Sequence, residues 1–236
     1  MFIDYVLIQK LVAAVLVGYF LGSIPFAYIA ARARGVDIFS TGNKMAGTAN
    51  VFWNIGRRTG SLVCMGDVTK GSAAMAFAQL LEVPGLLVLL AGAAAILGHW
   101  KSIFSGFRGG DGMAPLLGVT LTLVPALAPL GIATGVAVIL LLRRSIWRSS
   151  SGVAAGFAVI LGLSLYYQMD RTLVLGLVGL AGLVLSRSTI ARRRRSRVPE
   201  EEEILLDLEL EQEEEILLDL ELKQEPDLGP AAPENR

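Results

Sequence analysis

Residues 113–142 read MAPLLGVTLTLVPALAPLGIATGVAVILLL, thirty residues without a charged side chain. A helix crossing the hydrocarbon core of a bilayer needs about 20 apolar residues. The run is therefore too long for one untilted span, and the way it is divided sets the topology of the whole chain. Val124-Pro125 and Ala128-Pro129 lie near its middle, and proline removes an amide donor and crowds the preceding turn of a helix. Arg143, Arg144 and Arg148 follow the run. One span places these arginines outside, whereas two spans return them to the cytoplasmic side, where the positive-inside rule puts them. Two short helices joined by an external turn near 125–129 are expected.

Immediately upstream stands Gly98-His99-Trp100-Lys101-Ser102-Ile103-Phe104-Ser105-Gly106-Phe107-Arg108-Gly109-Gly110-Asp111-Gly112, which holds the single histidine of the chain. Arg108 beside Gly109, Gly110 and Gly112 permits several backbone N–H groups to face one point at the start of a helix, the chemistry of anion binding. A glycine-rich turn between two spans, with one basic residue for topology, accounts for the same letters. Both readings stand at this point.

Further outward, hydrophobic residues make up 53% of the 236 residues and the mean hydropathy is +0.58, which places the chain in the membrane class. The zero net charge conceals a division: residues 1–198 carry six acids against nineteen Lys and Arg, and residues 199–236 carry fifteen acids against Lys223 and Arg236. A basic membrane domain over 1–198 followed by an acidic cytoplasmic tail over 199–236 is the expected organisation. The lone Cys64 excludes an internal disulfide and any multi-cysteine metal centre. Met1–Ile8 contains Asp4 and no basic residue, so no cleavable signal peptide is expected.

The first span is read over 11–31, with Pro25 expected to disturb the helix and free a carbonyl. Arg32 and Arg34 mark its end as cytoplasmic. Residues 35–60 form a long polar loop, and a second apolar segment covers 61–81 with Asp67-Val68-Thr69-Lys70-Gly71 inside it. Asp67 and Lys70 are three apart, on one helical face, and ionisable groups at membrane depth are costly. They are either functional or a structural ion pair. Further spans are read over 86–98, 153–167 and 172–186. The fold expected is thus an all-α integral membrane protein of about seven transmembrane helices, with the N-terminus outside, the C-terminus cytoplasmic and the polar motifs gathered on the cytoplasmic face. The tail repeats EEEILLDLELEQ (201–212) as EEEILLDLELKQ (213–224). Its negative charge argues against an anionic membrane surface, and a partly disordered appendage or a helix for an unknown partner remains open.

Taken together, Gly22-Ser23-Ile24-Pro25-Phe26, Gly42-Asn43, Gly47-Thr48-Ala49-Asn50-Val51, Asp67-Val68-Thr69-Lys70-Gly71, Gly98-His99 and Phe107-Arg108-Gly109-Gly110-Asp111-Gly112 resemble, in their order at the span boundaries over 21–195, the bacterial acyl-phosphate:glycerol-3-phosphate acyltransferases of the PlsY type, with the interval from Asn43 to Asn50 two residues longer here. The resemblance implies a seven-span enzyme of the bacterial inner membrane, working at the cytoplasmic face in phospholipid biosynthesis. It implies transfer of a fatty acyl group from acyl phosphate to the 1-hydroxyl of glycerol 3-phosphate, giving lysophosphatidic acid. It implies no metal and no cofactor beyond acyl phosphate as co-substrate. The expected partners are the lipid membrane and a small phosphate substrate, with no nucleic acid.

By the same resemblance Arg108, Gly109, Gly110 and Gly112 bind substrate phosphate. Thr41, Asn43, Asn50 and Lys70 serve catalysis, with Ser23, Asp67 and His99 in support; Ser150, or Ser149 beside it, just after the basic patch, is a further candidate for a substrate hydrogen bond. The chain departs from the family at several places. Asp111 stands where a second lysine is usual, Phe52-Trp53 where an arginine is, and Ser186-Arg187-Ser188-Thr189 where the family has His-Arg-Glu-Asn. A catalytically impaired paralogue that binds lipid phosphate or a protein partner is therefore the alternative. A small-anion carrier comes third, because carrier sites lie near mid-membrane and these motifs do not.

Overall fold

The computed structural model describes residues 5–145, 147–168 and 170–191; the acidic tail and its repeat lie outside the described residues. Contacts divide the chain after Thr189, and the description below concerns the first unit. All regular elements among the described residues are helical. They are α1 (Tyr5–Ser23), α2 (Phe26–Arg32), α3 (Thr48–Asn54), α4 (Arg57–Leu80), α5 (Val88–Trp100), α6 (Met113–Leu123), α7 (Ala128–Leu141), α8 (Arg148–Tyr166) and α9 (Arg171–Ala191). The protein is thus all-α and membrane-spanning.

Prolines set the breaks as expected. α6 ends before Pro125, and α7 restarts with Pro129 in its first turn, where a missing amide costs nothing. Between α1 and α2, Pro25 cannot continue the ladder, and the carbonyls of Ser23 and Ile24 lose their helical partners. Both are satisfied from elsewhere: Ser102 donates its hydroxyl to the Ser23 carbonyl, and the Lys70 ammonium donates to the Ile24 carbonyl at 3.0 Å. A break at this depth survives only because protein groups replace the lost bonds.

The span count differs from the seven expected. Among the described residues, four stretches are long and apolar enough to cross a membrane unaided: Tyr5–Arg32, Gly85–Ser105, Arg148–Tyr166 and Arg171–Ala191. α4 is 24 residues long but carries Arg57, Arg58, Asp67 and Lys70. α6 and α7, with 11 and 14 residues, are shorter than the hydrocarbon core requires. The polar loop expected over 35–60 is also shorter, because α3 forms inside it and α4 begins at Arg57.

The principal packing pairs are α1 with α5, α4 with α6, and α7 with α8. Backbones approach closely at all three seams, as at Gly156, where a Cβ would lie 2.5 Å from the Gly131 oxygen. A Cβ at Gly22 would lie 2.0 Å from the Ala95 carbonyl oxygen, and one at Gly118 2.0 Å from that of Val68. Only glycine lets these helices meet so tightly. The main core gathers Met75, Ile96, Leu116, Val119 and Leu177, and a smaller cluster around Ile38 and Val51 seats the 36–55 segment on α2 and α4.

Replacing Ser102 with Ala leaves the Ser23 carbonyl buried and unpaired. The expected loss is about 1–3 kcal/mol, read as a lower thermal midpoint of the purified protein in detergent, with Ser102→Thr retaining most of the stability.

Candidate active site

The site is built on a buried ion pair. One turn of α4 places Asp67 and Lys70 on the same face, 1% and 3% exposed, with Lys70 Nζ 2.8 Å from Asp67 Oδ1. Burying either charge alone is costly, and pairing with further hydrogen bonds is what makes it tolerable. Lys70 has the Ile24 carbonyl as a second acceptor. Asp67 Oδ2 accepts the Thr48 hydroxyl at 3.3 Å, and His99 Nδ1 lies 3.6 Å from Oδ1. The α1–α2 break, α3, α4 and α5 thus have their register set around one carboxylate and one ammonium.

The glycine-rich loop folds back on the end of α5. The Gly110 N–H donates to the His99 carbonyl at 3.2 Å, and the Ala46 N–H donates to the Gly109 carbonyl at 3.2 Å. A Cβ at Gly109 would lie 1.9 Å from the His99 oxygen, and one at Gly110 2.3 Å from His99 Nε2. Gly112 has φ of +88°, and α6 starts from it. The loop is clamped from two sides: Trp100 Nε1 donates to the Asp111 carbonyl at 2.8 Å, and Arg187 donates to the Gly110 carbonyl at 2.9 Å while stacking 4.4 Å over the Trp100 ring. The glycines therefore serve close approach first. The Gly110 amide, expected to face an anion, is already donated to protein.

Two cavities flank the Asp67–His99 pair. The smaller is lined by Lys70, Ser102, Ser105 and Arg108, in addition to Asp67 and His99. Arg108 reaches it with its guanidinium stacked 3.9 Å over Phe39. The larger, about 220 Å³, has Thr48, Trp53, Cys64, Asp111 and Ser149 in its wall and shares Asp67 and His99 with the first. Arg148, the first residue of α8, stacks 4.5 Å over the Trp53 ring. Among the described residues, no three His, Cys, Asp or Glu side chains come together as a metal-binding group.

Of the residues singled out from the sequence, Arg108, Lys70, Asp67, His99, Gly109 and Gly110 are brought together here. Asn50 is buried, but its amide is turned to the backbone: Nδ2 donates to the carbonyls of Ile38, Thr41 and Met45, and Oδ1 accepts from Asn54. It pins the 38–45 loop and does not line either cavity. Thr41 donates its hydroxyl to the Asp37 carbonyl, and Asn43 accepts from the Met45 N–H on the exposed side of that loop. Of Ser149 and Ser150, Ser149 lines the larger cavity; the hydroxyl oxygens of Ser150 and Ser23 are buried without a hydrogen-bond partner among the described residues. Sequence reading did not single out Thr48, Trp53, Arg148 or Cys64 as site residues. Cys64 had a signal, since it precedes Asp67 by three on α4 and so shares its face.

Removing one partner of the buried pair strands the other. Lys70→Met and Asp67→Asn are each expected to destabilise the protein by about 3–5 kcal/mol, and the double substitution by clearly less than their sum, measured as a double-mutant cycle of unfolding in detergent.

The chain is similar to known proteins over most of its length. The family profile described as glycerol-3-phosphate acyltransferase matches residues 12–196. The glycerol-3-phosphate acyltransferase of Roseiflexus sp. (strain RS-1) is 40% identical over 188 residues, covering 78% of this chain and 91% of that one. That of Geotalea daltonii is 33% identical over 180 residues, covering 75% and 90%. Among solved structures, PlsY (YgiH), an integral membrane glycerol 3-phosphate acyltransferase in its glycerol 3-phosphate form, superposes with a TM-score of 0.67 at 26% identity, covering 79% of this chain and 93% of that one. With its family profile, its relatives and its helical frame in agreement, the chain belongs to the glycerol-3-phosphate acyltransferase family.

Proposed function

We propose that the protein transfers a fatty acyl group from acyl phosphate to glycerol 3-phosphate, giving lysophosphatidic acid and inorganic phosphate. The observation that carries this reading is the pair of cavities meeting at Asp67 and His99. The smaller is basic, and the larger runs from polar to apolar.

In the reaction the substrate hydroxyl oxygen bonds to the acyl carbonyl carbon, and the bond from that carbon to the phosphate oxygen breaks. The hydroxyl proton ends on the departing phosphate, so the balance needs no cofactor. Acyl phosphate is already activated. The protein's work is to hold two anions and aim one hydroxyl, the regime in which positioning and electrostatics carry the acceleration. Arg108 and Lys70 supply positive charge to the phosphate being released, and Lys70 is kept in place by Asp67 and the Ile24 carbonyl. Arg148, held on Trp53 beside the larger cavity, offers a cation to the phosphate of the incoming glycerol 3-phosphate. Thr48 and Ser149 offer hydroxyls within that cavity. Asn50, Thr41 and Asn43 act by shaping the loop beneath.

The finer topology belongs to the same proposal. α4, α6 and α7 cross together with the four longer stretches, since buried pairing and mutual packing cover what they lack in length and apolarity. This gives seven crossings with the N-terminus outside and the site at the cytoplasmic face of a bacterial inner membrane. In a Cys64→Ser background and sealed inside-out vesicles, an impermeant maleimide is expected to react with Lys44→Cys and to leave Glu82→Cys unlabelled. The reverse pattern inverts the orientation.

One observation favours the second reading, a binding paralogue without turnover. At the stretch where His-Arg-Glu-Asn is usual, Arg187 is spent on the Gly110 carbonyl, and the Ser186 and Thr189 hydroxyls donate to helix carbonyls one turn back. Hexadecanoyl phosphate and radiolabelled glycerol 3-phosphate, given to the purified protein in nanodiscs, decide between the two. Labelled lysophosphatidic acid is expected. Arg108→Ala should lower kcat/KM about 10²-fold or more, as loss of a preorganised charge does, and Arg108→Lys should restore much of it. Binding of glycerol 3-phosphate without product supports the paralogue.

A further inference from the structure

We propose that the larger cavity also accepts an uncharged polyol in place of glycerol 3-phosphate, and that Asp111 sets the choice between the two. The second activity is transfer of the acyl group from acyl phosphate to a hydroxyl of a small triol such as glycerol, giving a neutral monoacyl polyol. The inference rests on the acyltransferase reading above.

The two halves of the site are unequal in charge. The smaller cavity adds Lys70 and Arg108 to the shared Asp67 and His99. The larger adds Thr48, Asp111 and Ser149, with no Lys or Arg in its lining among the described residues. Lys70 neutralises Asp67 at 2.8 Å, whereas Asp111 has no ion-pair partner among the described residues. Its charge therefore acts on whatever enters. A phosphate there meets a like charge in a half-buried wall, and juxtaposed like charges oppose binding. The cation at hand is Arg148, held beside the cavity on the Trp53 ring and outside the lining. An uncharged acceptor meets no such opposition.

Hydrogen bonding shows what this wall favours instead. Asp111 Oδ1 accepts the Met113 N–H at 3.2 Å, an Asx turn that asparagine makes equally well. Oδ2 has no protein donor among the described residues. Trp100 Nε1 holds the residue from behind by donating to its carbonyl at 2.8 Å, so the carboxylate is offered in one place. Thr48 gives its hydroxyl proton to Asp67 Oδ2 and presents oxygen lone pairs. Ser149 adds a hydroxyl that both donates and accepts. Acceptors outnumber donors, the complement of a molecule made of O–H groups. A site built to bond hydroxyls discriminates against a ligand that leaves its polar groups unpaired. At about 220 Å³ the cavity has room for a three-carbon triol. The chemistry is unchanged: the polyol oxygen bonds to the acyl carbonyl carbon, the bond from that carbon to the phosphate oxygen breaks, and the hydroxyl proton ends on the departing phosphate.

The test offers radiolabelled glycerol or glycerol 3-phosphate, with hexadecanoyl phosphate, to wild type, Asp111→Asn and Asp111→Lys in nanodiscs. The first variant keeps the turn and removes the charge; the second reverses it. Wild type is expected to form monohexadecanoylglycerol with a kcat/KM at least one hundredth of that for glycerol 3-phosphate. The kcat/KM ratio of glycerol 3-phosphate to glycerol is expected to rise at least fivefold in Asp111→Asn and twentyfold in Asp111→Lys. Lysophosphatidic acid without the neutral product, or ratios within twofold of wild type in both variants, overturns the proposal and leaves the acyltransferase reading standing. If neither product forms, that reading fails and acceptor choice is read through Cys64, which lines the larger cavity and is the one cysteine of the chain. The glycerol concentration that half-protects Cys64 from N-ethylmaleimide should then be at least fivefold higher in Asp111→Lys than in wild type, and that of glycerol 3-phosphate at least fivefold lower. Equal concentrations in both proteins, or no protection by either compound, overturns the assignment of Asp111.

Discussion

One ammonium group holds the architecture to the chemistry. Pro25 breaks the first span and leaves the Ile24 carbonyl without a helical donor, while Asp67 on α4 is a carboxylate almost wholly removed from solvent. Either group alone is expensive within a helix bundle. Lys70 reaches both. The consequence is registration: the break can dock on α4 only where Lys70 stands, and the same turn of α4 then presents Asp67 to Thr48 and His99. Positioning of this kind needs no special rigidity elsewhere, because sliding α4 by one residue past the break takes Lys70 from the Ile24 carbonyl and Asp67 from Thr48 and His99, although the two charges stay paired with each other.

The glycine-rich loop is the complementary half of the design. Its glycines look, by composition, like an amide cradle for phosphate. In the fold they allow the chain to lie against the His99 carbonyl and imidazole, and the Gly110 amide is consumed in doing so. Arg187 and Trp100 then fix the loop by its carbonyls. A loop held this way has little freedom to wrap an anion, so in the proposed reaction the recognition of phosphate falls on side chains, Arg108 above all. Stacking on Phe39 keeps that guanidinium extended beside the cavity, with less side-chain freedom left to lose on binding.

Much of this was legible in the sequence wherever the cause was local. The division of 113–142 follows from Pro125 and Pro129, and the Asp67–Lys70 pair from a spacing of three on an apolar helix. The membrane class follows from composition. Seven spans did not emerge as seven self-sufficient helices, because α4, α6 and α7 fail by polarity or by length taken singly and are covered by neighbours that a sequence window does not contain. Asn50 reads as a polar pocket residue, yet its amide is satisfied by three carbonyls of the preceding loop, a fold that no spacing rule encodes. Arg187 meeting Gly110, and Arg148 meeting Trp53, join distant segments of the chain. Each arginine reads by itself as a topology marker, and only the packed bundle shows what it touches.

The departures from the family pattern form a single electrostatic arrangement. Asp111 puts a carboxylate where a lysine is usual, and that carboxylate accepts the first amide of α6 at 3.2 Å, a favourable place for negative charge. Both cavities share Asp67; the larger adds Asp111 and, among the described residues, no Lys or Arg in its lining, while the smaller adds Lys70 and Arg108. In the proposed reaction the phosphate being released is drawn to the smaller cavity, and a phosphate entering the larger one needs the Arg148 guanidinium stacked on Trp53. An uncharged acyl carbonyl has no such need there. In that reaction the acyl phosphate binds with its phosphate towards Arg108 and the bond to be broken near the Asp67–His99 wall. The second anion has to enter past Trp53, where Arg148 replaces by stacking the positive charge that the 52–53 position no longer carries.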